Sequence, residues 1–193
     1  GTPVLAVAED GRFYVSQEFI EGRSLSQVLQ SRPSLPPAEA LGIIVQVGHA
    51  LRHAREYNIT HGSLAPRNIF ISNDNIAKLA DFGLGQLRAP GHPPAREDMA
   101  FLPYLSPEAL TGGEETLDFA ADCYSAGAVF FHMIAGRPPF RATSVEKLQR
   151  RILKKAAPPL SQMVEGLPPI TDQIVSRCLE KLPSARYQQP KEF

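Results

Sequence analysis

The sequence predicts an α+β fold that is mainly α, with about six helices and two small β-hairpins. Three observations carry this reading. Residues 38–57 repeat apolar side chains at helical spacing, and residues 119–135 are apolar on nearly every side. Only two places join β-rich runs across a short polar turn. The chain has 193 residues, 43% of them apolar. That suffices for the core of one ordinary domain, or for one large lobe of a bigger one.

In chain order, Val4–Ala8 and Phe13–Ile20 are β-rich runs joined by Glu9-Asp10-Gly11-Arg12, where Asp-Gly is a strong hairpin signal. Ser24–Gln30 reads as a short helix, followed by a Pro-rich connection over Arg32–Pro37. Over Ala38–Tyr57 the residues Leu41, Ile44, Val47/Gly48, Leu51 and Ala54 define the expected buried face. Ile69–Ile71 and Ile76–Leu79 flank Asn73-Asp74-Asn75 as a second hairpin. Leu84–Pro103 carries four prolines and little periodicity, so it reads as a long loop of the kind that is usually functional or mobile. Phe119–Ala135 is a central buried helix stopped by Gly136-Arg137-Pro138-Pro139. Thr143-Ser144-Val145-Glu146 has capping-box form and opens a helix bearing Lys147, Arg150, Arg151, Lys154 and Lys155, a cluster that reads first as a solvated face. Thr171–Lys181 is the last full helix.

Lys+Arg and Asp+Glu both number 20, which leaves no electrostatic case for nucleic acid. Cys123 and Cys178 sit in apolar helical contexts and read as buried reduced thiols. There is no signal-peptide pattern, and the longest apolar run, Ala126–Ala135, is too short to span a bilayer. A cytoplasmic location fits, alone or as the cytoplasmic part of a membrane-anchored protein. The chain starts without Met and stops just after a helix start, so it reads as a fragment.

Functional signal concentrates in His61–Gly83. It holds His61-Gly62-Ser63-Leu64-Ala65-Pro66-Arg67-Asn68 and, beyond the hairpin, Asp81-Phe82-Gly83. Further on come Ser106-Pro107-Glu108, then Asp122-Cys123-Tyr124-Ser125-Ala126-Gly127, then Gly136-Arg137-Pro138-Pro139-Phe140, and last Cys178 to Tyr187 with Arg186. Each is weak alone; their order is not. The chain resembles the eukaryotic-like protein kinase family, and its texture is closest to bacterial Ser/Thr kinases. That family's catalytic loop reads H-R-D-x-x-x-x-N and its metal motif D-F-G. The resemblance implies a kinase-like C-lobe helical bundle over residues 21–193, with strands and hinge of the N-lobe remaining in 1–20 and an activation segment over 81–108.

By the same resemblance, Asn68 and Asp81 would hold Mg²⁺, an ion that prefers oxygen ligands. Gln17 would be the gatekeeper, Glu18–Ile20 the hinge meeting adenine, Glu21 a ribose contact, and Phe70 the apolar floor of an ATP site. Glu108 and Arg186 would form a buried ion pair, and Asp122 would tie its helix to the catalytic loop that His61 opens; Phe82 belongs to the metal motif. Protein would be the substrate or partner.

The departures decide the function. Ser63 stands where the family keeps the Asp that orients the acceptor hydroxyl, and loss of such a group costs about 10²–10⁴ in rate. Ala65 replaces the Lys that meets the transferring phosphate. Gly62 replaces the loop Arg, and Phe101 falls where those kinases keep a Thr. Leu84–Pro103 contains no Ser, Thr or Tyr to phosphorylate. The expectation is a pseudokinase with a regulatory or scaffolding role that still holds ATP and Mg²⁺; an active Ser/Thr kinase is the alternative. The His61-Gly62 pair also resembles the H-G-D loop of small-molecule phosphotransferases, but Ser106-Pro107-Glu108 and the Asp122 helix do not.

Overall fold

The helix Phe119–Ala135 (called α4 below) is the axis around which the other elements pack. In this computed structural model, which describes residues 4–7, 13–16, 18–82, 100–111 and 118–189, every α4 residue except His132 and Ala135 is buried. Asp118 caps its start, accepting from the Ala120 amide at 2.8 Å, and Gly136 ends it at φ 70°, a left-handed turn that glycine adopts without penalty. Midway, Gly127 lets the helix Pro169–Cys178 (α6) approach closely. A Cβ at Gly127 would lie 2.4 Å from the Cys178 Cβ. Cys123 and Cys178 are both free thiols and both buried.

The other helices follow from periodicity and caps. Helix α1 (Leu25–Ser31) starts with a capping box in which Ser24 and Gln27 exchange backbone-to-side-chain hydrogen bonds. Helix α2 (Pro37–Glu56) buries Ala40, Ile43, Ile44, Val47, Leu51 and Ala54 against α4. Leu41, expected on that face, is 51% exposed. The alternating four- and three-residue steps 40, 44, 47, 51, 54 keep in phase with the helix, and Leu41 lies about 100° out of it. Helix α3 (Pro107–Thr111) is one short turn, and α5 (Val145–Lys154) buries Leu148 and Ile152, one turn apart. The α5 cap is Ser144, which accepts from the Lys147 amide; the box expected from Thr143 to Glu146 does not form, because the cap sits one residue later and puts Lys147, whose side chain has no acceptor, at the third helical position. Helix α6 begins two residues ahead of its expected start, with Pro169 in the first turn where its missing N–H costs nothing.

Strands β1 (Val4–Val7) and β2 (Phe13–Ser16) pair antiparallel, with Val7 opposite Phe13. The connecting turn and Gln17 lie outside the described residues. The second hairpin, β4 (Ile69–Ser72) and β5 (Ala77–Leu79), is part of a three-stranded sheet because Gly22–Ser24 (β3) adds to the free edge of β4. Residues 22–24 carry no strand pattern of their own and pair only through β4. Ile76, expected in the strand, lies in the turn and is exposed; β5 starts at Ala77, whose amide donates to Gln46 of α2 at 2.9 Å. Gly83 and residues 84–99 of the expected loop lie outside the described residues, and its end forms a 3-10 turn over Leu102–Tyr104. Among the described residues no helix is long and apolar enough to cross a membrane.

Candidate active site

The loop 57–68 leaves α2 through Asn58 at φ 56°, is irregular from His61 to Ala65, and closes in a 3-10 turn over Pro66–Asn68 that feeds β4. Asp122, in the first turn of α4, holds the loop: its two carboxylate oxygens accept from the His61 and Gly62 amides, each at 2.8 Å. Burial pushes this carboxyl up to about 6, against the downward pull of the two amide donors. Gly62 sits at φ 73°, a conformation that presents its amide to the same carboxylate.

Asn68 closes the loop upon itself. Its amide nitrogen donates to the Ser63 carbonyl at 3.0 Å, its backbone N–H to Ala65 at 2.9 Å, and its carbonyl accepts from Ala80 at 2.9 Å. The side-chain nitrogen is thereby fixed, and the remaining oxygen, Oδ1, is buried with no hydrogen-bond partner. A buried acceptor of this kind costs free energy unless something meets it. Asp81 stands one residue past Ala80, so the open end of the β4–β5 hairpin carries the Asn68 amide and the Asp81 carboxylate together. Asp81 is at φ 64°, a strained position for a residue with a Cβ, although Asp tolerates it better than most. An orphaned amide oxygen and a carboxylate are both oxygen donors of the kind Mg²⁺ prefers, so the chemistry of these two residues fits that ion. Among the described residues no group of three or more His, Cys, Asp or Glu could hold a metal by itself.

His61 is fully buried, its ring 4.7 Å from that of Phe82, and neither ring nitrogen has a hydrogen-bond partner. Burial pushes its pKa down to about 4, so it is neutral at physiological pH. The loop thus lies between Asp122 below and Phe82 alongside.

The other side of the loop has a different character. Ser63 is 9% exposed and Ala65 not at all, so neither a carboxylate nor an ammonium projects there. Phe101 is 5% exposed, and the Arg67 guanidinium carbon lies 3.1 Å from the centroid of its ring. This stack joins the loop to the segment 100–111 across 34 residues of sequence. The sequence reading singled out Phe101 but gave Arg67 no part; no local pattern reports a cation over a ring that far away. The same holds for Tyr104, whose hydroxyl lies 2.6 Å from His132 Nδ1 on α4.

Below segment 100–111, Arg186 makes a two-point contact with Glu108 at 2.6 and 2.8 Å. Its guanidinium also donates to the carbonyls of Ala120, Glu180 and Lys181. Burial raises the Glu108 carboxyl, but the hydrogen bonds and charge of Arg186 outweigh it and leave the group below its ordinary value.

On the strand side, Lys78 of β5 donates to Glu18 at 2.8 Å, which holds that carboxyl below its usual range. Lys78 is directly opposite Phe70, so both project from one face of the sheet, away from Ile69 and the core. The segment 18–20 is therefore anchored over the face that carries the half-buried Phe70. Ile20 is half-buried and Glu21 exposed; Gln17 lies outside the described residues.

Comparison with known proteins agrees with this architecture. The family model described as protein kinase domain matches residues 4–191. Relatives include the serine/threonine-protein kinase PknD of Mycobacterium tuberculosis, 34% identical over 92% of this chain. A probable serine/threonine-protein kinase PknB of Bifidobacterium longum is 30% identical over 93%. The serine/threonine-protein kinase PrkC of Bacillus subtilis is 29% identical over 96%. The chain spans only 26–28% of the length of these three. A two-amide clamp on the loop, a hairpin mouth with amide and carboxylate, a buried Arg–Glu pair and a match along nearly the whole sequence lead to one conclusion: the chain belongs to the protein kinase family, among bacterial relatives of the Ser/Thr type.

Proposed function

We propose that this chain is a kinase-fold domain impaired in phosphoryl transfer, which holds ATP and Mg²⁺ and acts as a regulatory or scaffolding module. The observation that carries this is the composition of the loop Asp122 clamps: Ser63 and Ala65 are buried and uncharged, while the buried Asn68 Oδ1 has no hydrogen-bond partner. A bound Mg²⁺ would supply positive charge that offsets that of the phosphate oxygens. The residues present divide the remaining tasks. Asn68 and Asp81 would supply the ion's protein oxygens, Phe70 an apolar surface under the base, and residues 18–20 backbone groups at its edge. At the acceptor, the Ser63 hydroxyl has neither the charge nor the basicity to take a proton, a deficit of about 3–5 kcal/mol in barrier. Ala65 offers no cation to the transferring phosphate. Phe101, packed under Arg67, fills the neighbouring position with a ring.

A second reading, an active kinase that phosphorylates protein Ser or Thr, is favoured by the names of the relatives above and by the dominance of positioning over proton transfer in this chemistry. One set of measurements separates the two. Thermal unfolding with increasing ATP should show a rise in midpoint that is larger with Mg²⁺ than without, because a ligand of the native state stabilises it by mass action. Asn68→Ala should remove the Mg²⁺-dependent part of the shift. In parallel, transfer from labelled ATP to a generic protein acceptor should fall well below the ordinary kinase range of about 1–100 s⁻¹. Turnover within that range would reject the impaired reading, and the absence of any shift with ATP would reject nucleotide binding.

A further inference from the structure

Helix α5 carries a charge pattern that neither the packing of the fold nor the loop chemistry uses. Lys147, Arg150, Arg151, Lys154 and Lys155 are all exposed, and the first four recur at three- and four-residue spacing on the side opposite Leu148 and Ile152. Arg151 is partly engaged, donating to the Arg141 carbonyl. Lys147, Arg150, Lys154 and Lys155 have no ion-pair or side-chain hydrogen-bond partner among the described residues. Elsewhere among the described residues three cations meet acids, Arg32 with Glu39, Lys78 with Glu18 and Arg186 with Glu108, and no other single element gathers as many cations with one acid. On α5 the single acid is Glu146. Cations in the last turn complement the helix dipole, which accounts for Arg151 and Lys154 but not for Lys147 and Arg150. Like charges at this spacing repel, and a surface shaped for solubility alone intersperses the two signs.

We propose that the solvent face of α5 docks an acidic protein segment. The charge identifies the partner's sign, and the surroundings identify its class. None of the exposed large apolar residues lies on α5 or on the turns flanking it: they are Phe19, Leu41, Val45, Tyr57, Ile59, Ile76, Ile170 and Leu182. A membrane-surface helix needs apolar side chains to insert, and single-stranded nucleic acid needs aromatic rings to stack on; this face has neither. Complementary charge on a peptide needs only what is present. Location adds meaning, because α5 packs against the 3-10 turn 102–104 and against α3, within the segment that carries Phe101 and Glu108. A partner seated on α5 would lie beside that segment whether or not phosphate is transferred, so the proposal does not depend on the impaired reading.

Fluorescence anisotropy of a labelled oligoglutamate peptide against the whole chain tests it. Binding should be measurable at low ionic strength and weaken by about tenfold or more as salt screens the charges. The triple variant Lys147→Glu, Arg150→Glu, Lys154→Glu should lose at least about tenfold in affinity with an unchanged melting midpoint; the Gln triple serves if the Glu triple melts early. Arg52→Glu, an exposed cation on α2, should bind like wild type, and Arg150→Lys should retain affinity. The proposal is overturned if the peptide does not bind, if the triple variant binds as well as wild type, or if Arg52→Glu loses as much. It is also overturned if vesicles rich in phosphatidylserine, or a single-stranded oligonucleotide, bind this face more tightly than the peptide does.

Discussion

Asp122 and Glu108 are both acids held in the interior of the same half of the molecule, and their surroundings treat them in opposite ways. Among the described residues Asp122 meets two backbone N–H groups and no cation, and burial lifts it to about 6. Glu108 meets a full guanidinium at two points, and it stays below its ordinary value despite burial. Two amide dipoles, well aimed at 2.8 Å, do not offset the loss of water around a charge; one guanidinium does. The consequence for stability has opposite signs. Because the folded pKa of Asp122 lies above 3.8, the folded chain binds that proton more tightly than the unfolded one. Its ionisation between pH 4 and 6 therefore costs the fold, by about 3 kcal/mol for two units. Glu108, with a lowered folded pKa, stabilises the fold above its unfolded value and loses that contribution as pH falls through its folded one.

The contrast can be broken most severely at its cationic member. Arg186→Ala leaves Glu108 without its cation and takes one donor from each of three carbonyls, and should cost about 3–5 kcal/mol in denaturant unfolding at pH 7. A cost below about 1 kcal/mol would mean that water replaces the guanidinium, and that the pair is less enclosed than its 0% exposed arginine side chain indicates. A finer test replaces only the titrating proton. The stability of wild type relative to Asp122→Asn should change by about 3 kcal/mol between pH 7 and pH 4, with wild type gaining toward acid. A difference that stays flat over that range would show that the two amides hold the carboxylate ionised after all. The smallest effect is expected for Glu108→Gln, about 1–3 kcal/mol at neutral pH. That loss should shrink as pH drops below 4.5, the reverse of the Asp122→Asn trend. Parallel slopes in the two variants would erase the distinction drawn between them.

Much of this architecture is written in local pattern. The all-round apolar composition of residues 119–135 set the central helix to the residue, and Gly136 marked its end. The two hairpins were visible because β-rich runs flank Asp-Gly and Asn-Asp-Asn. Strand β3 was not, since Gly22-Arg23-Ser24 has no alternation of its own and pairs only because β4 offers an edge. Leu41 was misplaced because hydrophobicity outweighed phase; Ala40, smaller but in register, takes the buried position. In the candidate site, the positions of Asn68, Asp81 and Ser63 could be found from the resemblance of their two motifs to those of the kinase family. What holds them could not. The donors to Asp122 are backbone amides, which have no letter in the sequence, and the orphaned oxygen of Asn68 appears only once its nitrogen is seen to be committed to Ser63. The Arg67–Phe101 stack depends on two segments meeting, and nothing near either residue announces it.

The contact at Gly127 has a mechanical consequence. Helices normally touch through side chains that can yield, but here the backbone of α4 rests almost directly on Cys178, with no cushion between them. Asp122 lies just over one turn before that contact along α4, and Arg186 eight residues after it along the chain from α6. The crossing point therefore acts as a fulcrum. A methyl group added at Gly127 would wedge the two helices apart and tilt both charged clamps at once, although it touches neither the loop nor segment 100–111. The smallest residue in the chain sets the distance between the two devices that hold the site in place.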